Sequence, residues 1–250
     1  MGYVIAMAGK GGTGKTTIAA LIVRLIKEKK LGSVLAIDAD PNSNLGEVLG
    51  LKQKSTIGEI LDEISTHPEK VPVDMGKDHF IEYQVQTAIV EGEGFDVLTM
   101  GRPEGPGCYC YVNNALRNVM GKLIKDYDYV VIDNEAGLEH LSRRTTRSAD
   151  AFVVVSNASA VGLKAAKRIR ELIKELKINV KKELLVINSS QENIEKQRID
   201  DLKLDYLGSV PYDMDIEKIS LNGNSLMDLN EKTASLSALR KIGERIWQRN

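Results

Sequence analysis

The stretch from Gly9 to Thr17 reads GKGGTGKTT and contains residue types that can bind phosphate. Its glycines let backbone N–H groups turn toward a polyphosphate without a Cβ in the way, and a following helix adds its positive end. In this G-x-x-x-x-G-K-T spacing, we expect Lys15 to reach the β and γ phosphates and the Thr16 hydroxyl to ligate Mg²⁺. A glycine-rich turn without a ligand is the alternative, which the full spacing disfavours. The residues expected to contact the nucleotide here are Gly11, Gly12, Thr13, Gly14, Lys15, Thr16 and Thr17.

Carboxylates follow two other apolar runs. Asp38 and Asp40 lie in AIDADPNSNLG, and Asp133 ends the run VVID. Carboxylate oxygens are common ligands of Mg²⁺. We expect Asp38 and Asp40 within reach of Mg²⁺ and the attacking water, with Asp38 holding the metal shell. Asp133 is expected to position Mg²⁺ through water, and an ordinary strand-end aspartate is the alternative.

The chain contains two cysteines, Cys108 and Cys110, in the stretch GPGCYC. A C-x-C pair is too close for an easy disulfide between its own members. Two thiolates also supply half of a four-coordinate metal site. Either the pair is incidental, or something outside this chain completes it.

These residues need a scaffold, which the alternation of short apolar runs and helical patterns predicts. The strand-like runs are Tyr3 to Met7, Val34 to Asp38, Val97 to Met100, Tyr129 to Asp133, Ala151 to Ser156, Leu184 to Asn188 and Tyr206 to Val210. The helical patterns include Thr16 to Lys29, Thr56 to Ser65, Ala115 to Lys125, Gly162 to Lys177 and Ser235 to Gln248. Alternation predicts an α/β fold with a mostly parallel, doubly wound sheet and helices on both faces, whose ligand binds at the carboxyl ends of the strands. No linker divides the chain, so we expect one domain over residues 1–250.

The segment from His67 to Glu93 is the least periodic part of the sequence. We expect a solvated, mobile excursion here. A metal site built from His67, His79, Asp74 and Asp78 is the alternative, although their spacing matches no known ligand pattern.

Composition limits the classes of partner. The chain has 250 residues, with 34 Lys plus Arg against 35 Asp plus Glu. A net charge of −1 gives no general reason to expect nucleic acid or an anionic membrane as partner. We expect a cytoplasmic protein whose cysteines are reduced.

The form K-G-G-x-G-K-T, with Lys10 near its start, resembles the deviant Walker A motif of the MinD and ParA ATPases, the arsenite pump ATPase and the nitrogenase iron protein. The resemblance implies a P-loop NTPase fold and a homodimer that closes face to face around two ATP molecules. It implies that Lys10 reaches the phosphates of the partner subunit and that Asp40 orients the attacking water. The expected catalytic residues are therefore Lys10, Lys15 and Asp40.

Two late segments suggest how the base is bound. Asn188 ends LLVIN, and its amide can both donate to and accept from adenine. Pro211, Tyr212 and Asp213 follow the next strand-like run, and the resemblance makes them a base-contacting loop. The guanine-specific pattern N-K-x-D is absent, because NSSQ follows at Asn188. ATP and ADP are therefore the expected nucleotides.

A face-to-face dimer would double the number of cysteines available to one metal ion. Two C-x-C pairs about a two-fold axis supply four sulfurs, enough for Ni²⁺ or Zn²⁺. Together with DADPN and EAGLEH, the CYC element resembles the CooC-type and AcsF-type maturation ATPases. The resemblance implies that Cys108 and Cys110 bind nickel for an apo nickel enzyme, either carbon monoxide dehydrogenase or acetyl-CoA synthase. The alternative is a MinD/ParA-like positioning or partitioning switch without a metal-delivery role.

Overall fold

The computed structural model describes residues 2–40, 42–101, 110–135, 148–190 and 196–249, with side chains except at 110–115 and 196. Its described strands form an eight-stranded sheet in the order β3-β4-β2-β5-β1-β6-β7-β8. The strands are β1 Tyr3–Ala8, β2 Val34–Ala39, β3 Val90–Gly92, β4 Phe95–Thr99, β5 Tyr129–Asn134, β6 Ser148–Ser156, β7 Asn179–Asn188 and β8 Asp205–Val210. All neighbours pair in parallel except β3, which runs antiparallel to β4 at one edge. The predicted α/β fold with a mostly parallel sheet is confirmed.

The helices cover both faces of this sheet. Those in the described residues are α1 Lys15–Glu28, α2 Leu45–Val48, α3 Ile57–Thr66, α4 Lys77–Ala88, α5 Cys110–Asp126, α6 Ala160–Glu175, α7 Lys196–Asp200, α8 Met214–Asn222 and α9 Ala234–Trp247. The core on one face contains α1, α2 and α9, with α8 packed against it, and the core on the other contains α3 to α7. The central strands are buried on both faces, which explains their continuous apolar runs. Among the described residues, no helix is both long enough and apolar enough to cross a membrane.

The segment from His67 to Glu93 is exposed over residues 67–79 apart from the half-buried Val71, as expected of a solvated excursion, but the expectation is wrong for its second half, which is part of the fold. It contains a 3₁₀ turn at Pro68–Lys70, the helix α4 and the edge strand β3. Ile81, Val85 and Ala88 on α4 are buried in the core. Their spacing is helical, but only three core residues in twelve make the pattern faint in the sequence. The alternative metal site is also unsupported, because the described residues contain no group of three or more His, Cys, Asp or Glu that could hold a metal ion.

Candidate nucleotide site

The loop between β1 and α1 has the conformation that its glycines permit. Gly12 and Gly14 adopt positive φ angles of 79° and 82°, which a side chain would strain. Gly14 caps α1 without any side-chain hydrogen bond, and the first turn of α1 contains no acidic residue. The first N–H groups of a helix lack intrahelical partners. The N-terminus of α1 can therefore bind an anion.

Close packing holds the base of the loop in place while its tip stays open. The Thr13 hydroxyl donates to the Lys10 carbonyl at 2.8 Å, and beyond the adjoining residues no atom of the described chain lies within 4 Å of where a Cβ on Gly11 or Gly12 would be. A Cβ on Gly9 would collide with the Val155 carbonyl. Consequently, the tip offers a cradle bounded by glycine backbone.

The two lysines of the loop differ in burial. Lys10 is exposed, whereas Lys15 is 7% exposed at the start of α1. The positive charge of Lys15 lowers the pKa of Asp133, so the two side chains share one electrostatic environment. Lys15 is thus a cation of this chain's own site, and Lys10 faces outward.

Thr16 and Asp133 meet where the predicted Mg²⁺ site requires them. The Thr16 hydroxyl donates to Oδ2 of Asp133 at 2.5 Å. Oδ1 of Asp133 is buried and has no hydrogen-bond partner among the described residues. Burial raises the pKa of Asp133 to about 6, although Thr16 and Lys15 oppose that shift. A buried carboxylate oxygen without a partner beside a hydroxyl is a donor set that fits Mg²⁺.

Asp38 lies beside Asp133 in the sheet, because β2 and β5 pair Asp38 with Asp133. Its Oδ1 accepts from the Asp40 N–H at 3.1 Å and its Oδ2 from the Leu45 N–H at 2.7 Å. Burial raises the pKa of Asp38 to about 7, against the Leu45 N–H, and Asp133 raises it further. Asp38 therefore fixes the loop that follows β2.

Asp40 has a different environment from Asp38. It is half-buried, and its Oδ1 accepts from both the backbone and the side-chain N–H groups of Asn42 at 2.9 Å. Its negative charge raises the pKa values of Asp38 and Asp133. Asp40 is thus close enough to the buried carboxylates to interact with them while remaining accessible.

Asn188 brings β7 to the phosphate loop. Its Nδ2 donates to the Thr13 carbonyl at 2.9 Å, and a Cβ on Gly14 would collide with that nitrogen. Gly14 is therefore required both for its φ angle and for the close approach of Asn188.

The loop after β8 is fixed by its aspartate. Oδ2 of Asp213 accepts from the N–H and hydroxyl of Ser235 at 3.1 and 2.7 Å. Burial acts to raise the pKa of Asp213, but donation from Ser235 and Asp215 outweighs it and lowers that pKa. Tyr212 is 46% exposed and donates to Glu217, and Pro211 is half-buried. This loop presents Tyr212 at the surface while Asp213 anchors it to α9.

The predicted nickel ligands lie at a boundary of the described chain. Cys108 lies outside the described residues, and of Cys110 the structure gives the backbone as the first residue of α5. The sulfur positions therefore stay a prediction.

Asn134 is a polar residue that the sequence did not single out. It is fully buried at the end of β5, and its Nδ2 donates to the Met7 carbonyl of β1 at 2.9 Å. Its position in a buried strand directly after Asp133 was the available signal. Asn134 ties the end of β5 to the strand that leads into the phosphate loop.

The sequence matches one family model, and the chain is similar to several known proteins. The family model described as the CobQ/CobB/MinD/ParA nucleotide binding domain matches residues 4–226. The chain is 42% identical over 249 residues to an ATP-binding protein of Methanocaldococcus jannaschii, covering 97% of this chain and 98% of that protein. It is 30% identical over 258 residues to the carbon monoxide dehydrogenase accessory protein CooC of Rhodospirillum rubrum, covering 96% and 98%. The septum site-determining protein MinD of Pyrococcus horikoshii, solved with Mg-ADP, superposes with a TM-score of 0.72 at 21% identity over 99% of this chain and 97% of that one.

Proposed function

Since the chain belongs to the CobQ/CobB/MinD/ParA family of nucleotide-binding proteins, we propose that it is a Mg²⁺-dependent ATP hydrolase. We further propose that its ATP-bound homodimer binds nickel at Cys108 and Cys110 and assists metal insertion into an apo nickel enzyme. The pairing of Thr16 with the buried Asp133, whose Oδ1 has no partner among the described residues, carries the nucleotide part of this proposal.

The roles of this chain's residues follow from their positions. The glycine backbone at the tip and the N-terminus of α1 bind phosphate oxygens, and Lys15 neutralises their charge. Thr16 would ligate Mg²⁺, Asp133 would position the ion through water, and Asp38 would hold the metal shell while it fixes the loop beside them. Mg²⁺ held there would supply positive charge that offsets the negative charge developing on the phosphate during phosphoryl transfer.

Asp40 is proposed to orient the attacking water. Its half-buried carboxylate follows β2 and interacts with the buried carboxylates. A carboxylate that accepts a hydrogen bond from the attacking water orients that water so that a lone pair on its oxygen faces the phosphoryl group. Asn188, Pro211, Tyr212 and Asp213 are proposed to bind the adenine base from β7 and from the loop after β8.

The metal part of the proposal has two supports. The sequence places both cysteines in one C-x-C, and CooC of Rhodospirillum rubrum, with 30% identity over nearly its full length, is named as a carbon monoxide dehydrogenase accessory protein. Two C-x-C pairs in a homodimer supply four thiolates, a set that suits Ni²⁺ or Zn²⁺. Ligands drawn from both subunits would couple nickel affinity to dimerisation, and linkage requires the reverse coupling.

Nickel binding by the purified full chain tests this function. The parent is expected to bind about one Ni²⁺ per dimer, a stoichiometry set by four thiolates per ion. Cys108→Ala and Cys110→Ala should lose that binding while still releasing phosphate from ATP, because neither cysteine belongs to the phosphate loop. Lys15→Ala is the matched control, which should lose phosphate release and keep the thiols.

Competition with a chromogenic nickel chelator gives the affinity, and phosphate release gives the hydrolysis rate. Variants that bind nickel as tightly as the parent would show that the cysteine site is wrong. ATP-dependent binding of the parent to DNA or lipid, without nickel, would instead favour the positioning or partitioning switch.

A further inference from the structure

The hairpin formed by α3, the connecting turn and α4, residues 57–88, carries exposed apolar side chains together with seven carboxylates. We call it the acidic hairpin. Tyr83 is 57% exposed and Met75 is 37% exposed, while Val73 is fully exposed. Apolar side chains that cluster on a surface are typical of protein interaction sites. The acidic hairpin therefore has more apolar surface than its own packing requires.

Two of these exposed side chains, Met75 and Tyr83, border a concave surface. Met75 and Tyr83 line one open cavity of about 460 Å³, together with His79. A second cavity, of about 300 Å³, lies between α3 and α4 and is lined by Ile64 and Phe80, among others. Both cavities have apolar residues beside polar and charged ones, so they can receive partner side chains that combine an apolar group with a charge.

The charge of the acidic hairpin has one dominant sign. Its two cationic side chains are Lys70 and Lys77. Its seven carboxylates are Glu59, Asp62, Glu63, Glu69, Asp74, Asp78 and Glu82. Lys70 pairs with Glu63, and Lys122 of α5 pairs with Glu82, so the acidic hairpin keeps a net negative charge after these ion pairs are counted, in a chain whose overall net charge is −1. A partner with basic residues around an apolar side chain would complement this surface.

The acidic hairpin also supports both ends of the segment that contains the cysteines. At the near end, the Gly58 N–H donates to the Met100 carbonyl at 2.8 Å, directly before that segment starts. At the far end, α4 packs on α5, which begins at Cys110, and Glu82 of α4 pairs with Lys122 of α5 at 3.1 Å. The acidic hairpin therefore contacts described residues on both sides of Cys108, namely Met100 and helix α5.

We propose that the acidic hairpin is the docking surface for the protein that accepts the metal, and that the acceptor presents a basic segment bearing an apolar side chain. This inference rests on the proposed metal delivery and identifies where the acceptor binds. A second copy of the chain fits the surface less well, because a two-fold contact would bring like charges together. Anionic lipid and nucleic acid would be repelled for the same reason.

Binding to an acceptor enzyme tests the surface. The full chain is passed, with Ni²⁺ and ATP, over immobilised apo carbon monoxide dehydrogenase and then over immobilised apo acetyl-CoA synthase of the same organism. The double variant Met75→Ser/Tyr83→Ser and the variant Asp74→Lys should each raise the Kd for one of these enzymes at least about tenfold, as expected for the centre of an interface. Salt should weaken binding of the parent more than that of Asp74→Lys.

Leu221→Ser is the matched control. Leu221 is 80% exposed on α8, whose Ile216 and Ile219 pack against the core on the opposite face of the sheet. Its variant should bind the acceptor like the parent, and all variants should keep their ATP hydrolysis and nickel stoichiometry.

Three results would overturn the docking surface: equal binding by parent and hairpin variants, no binding of the parent to either enzyme, or loss of ATP-dependent dimerisation in the hairpin variants. The last result would identify the surface as a contact between copies. If parent and hairpin variants bind the acceptor equally while Cys108→Ala loses nickel, the docking surface alone is wrong. If the parent binds no nickel, the proposed function itself fails.

Discussion

The carboxylate of Asp133 combines three properties: it is completely buried, one of its oxygens accepts from a hydroxyl, and the other has no partner among the described residues. Burying a carboxylate costs free energy unless its charge is compensated. Without a metal ion, this cost appears as a raised pKa: burial raises the pKa of Asp133 to about 6 even though Thr16 and Lys15 lower it. The same carboxylate is therefore prepared for Mg²⁺ and costly without it.

This cost predicts a pH dependence of stability in the nucleotide-free protein. The pKa of Asp133 is about 6 in the folded chain and 3.8 ordinarily, so between roughly pH 4 and pH 6 the folded state binds more protons than the unfolded state. The free energy of unfolding contributed by Asp133 is thus highest below pH 4 and falls as pH rises through 6. Asp133→Asn keeps an acceptor for Thr16 but does not titrate.

Thermal unfolding of both proteins with a chelator present, from pH 4.5 to 7.5, measures the effect. The Tm of the parent minus the Tm of Asp133→Asn should decrease as pH rises. A difference that stays constant over this range would contradict the assignment.

At the scale of elements, the start of α3 contacts the chain just after β4, where Gly58 donates to the Met100 carbonyl ahead of the two cysteines. Its N-terminus has a capping box, in which the Thr56 hydroxyl accepts from the Glu59 N–H at 3.1 Å and Glu59 accepts from the Thr56 N–H at 2.8 Å. Gly101 has a positive φ of 59°, and a Cβ there would collide with the Thr56 side chain. The cap therefore also positions the backbone where β4 ends.

Thr56→Ala is expected to lower the free energy of unfolding by about 1 kcal/mol, the usual value of an N-cap hydroxyl. Thr56→Ser should retain most of that stability, because it keeps the acceptor oxygen. Urea unfolding monitored by circular dichroism gives both values. If serine and alanine destabilise the chain equally, loss of the methyl contact rather than loss of the cap explains the effect.

At the scale of the whole molecule, the sheet separates two groups of helices. The phosphate loop leads into α1 on one face, whereas α3, α4 and α5, which flank the cysteine segment, pack on the other. The carboxyl edge of the sheet joins the two faces, and Asp38 and Asp133 lie side by side there, each one residue before the end of its strand. A change in the nucleotide could therefore reach both faces from this edge.

The exposed Lys10 gives a prediction about assembly. Lys10 is exposed, and the proposed homodimer places it at the phosphates of the partner subunit, so Lys10→Ala should lose ATP-dependent dimerisation while retaining much of its nucleotide affinity. Light scattering with and without ATP measures the assembly, and Lys15→Ala serves as the control that should lose nucleotide binding itself. An unchanged ATP-dependent dimer in Lys10→Ala would refute a role for Lys10 across the interface.

The sequence by itself determined the parts that depend on short-range spacing. The phosphate loop could be predicted because its glycines, Lys15 and Thr16 lie within nine residues, and the seven predicted strands are confirmed because burial on both faces requires continuous apolar runs. The helix α4 and the strand β3 could not be predicted in this way. The buried residues of α4 become core residues only when α5 packs beside them, and β3, in which no residue is buried, is defined by its pairing with β4.

The tertiary structure alone decided which polar groups are committed and which are free. Asp38 and Asp133 both end apolar strands in the sequence, yet Asp38 has backbone donors on both oxygens and Asp133 has one oxygen without a described partner. Thr16, which contacts Asp133, and the partners of Asn134, Asn188 and Asp213 come from distant parts of the chain. Hydrogen-bond partners and burial are properties of contacts between elements, and local sequence does not specify them.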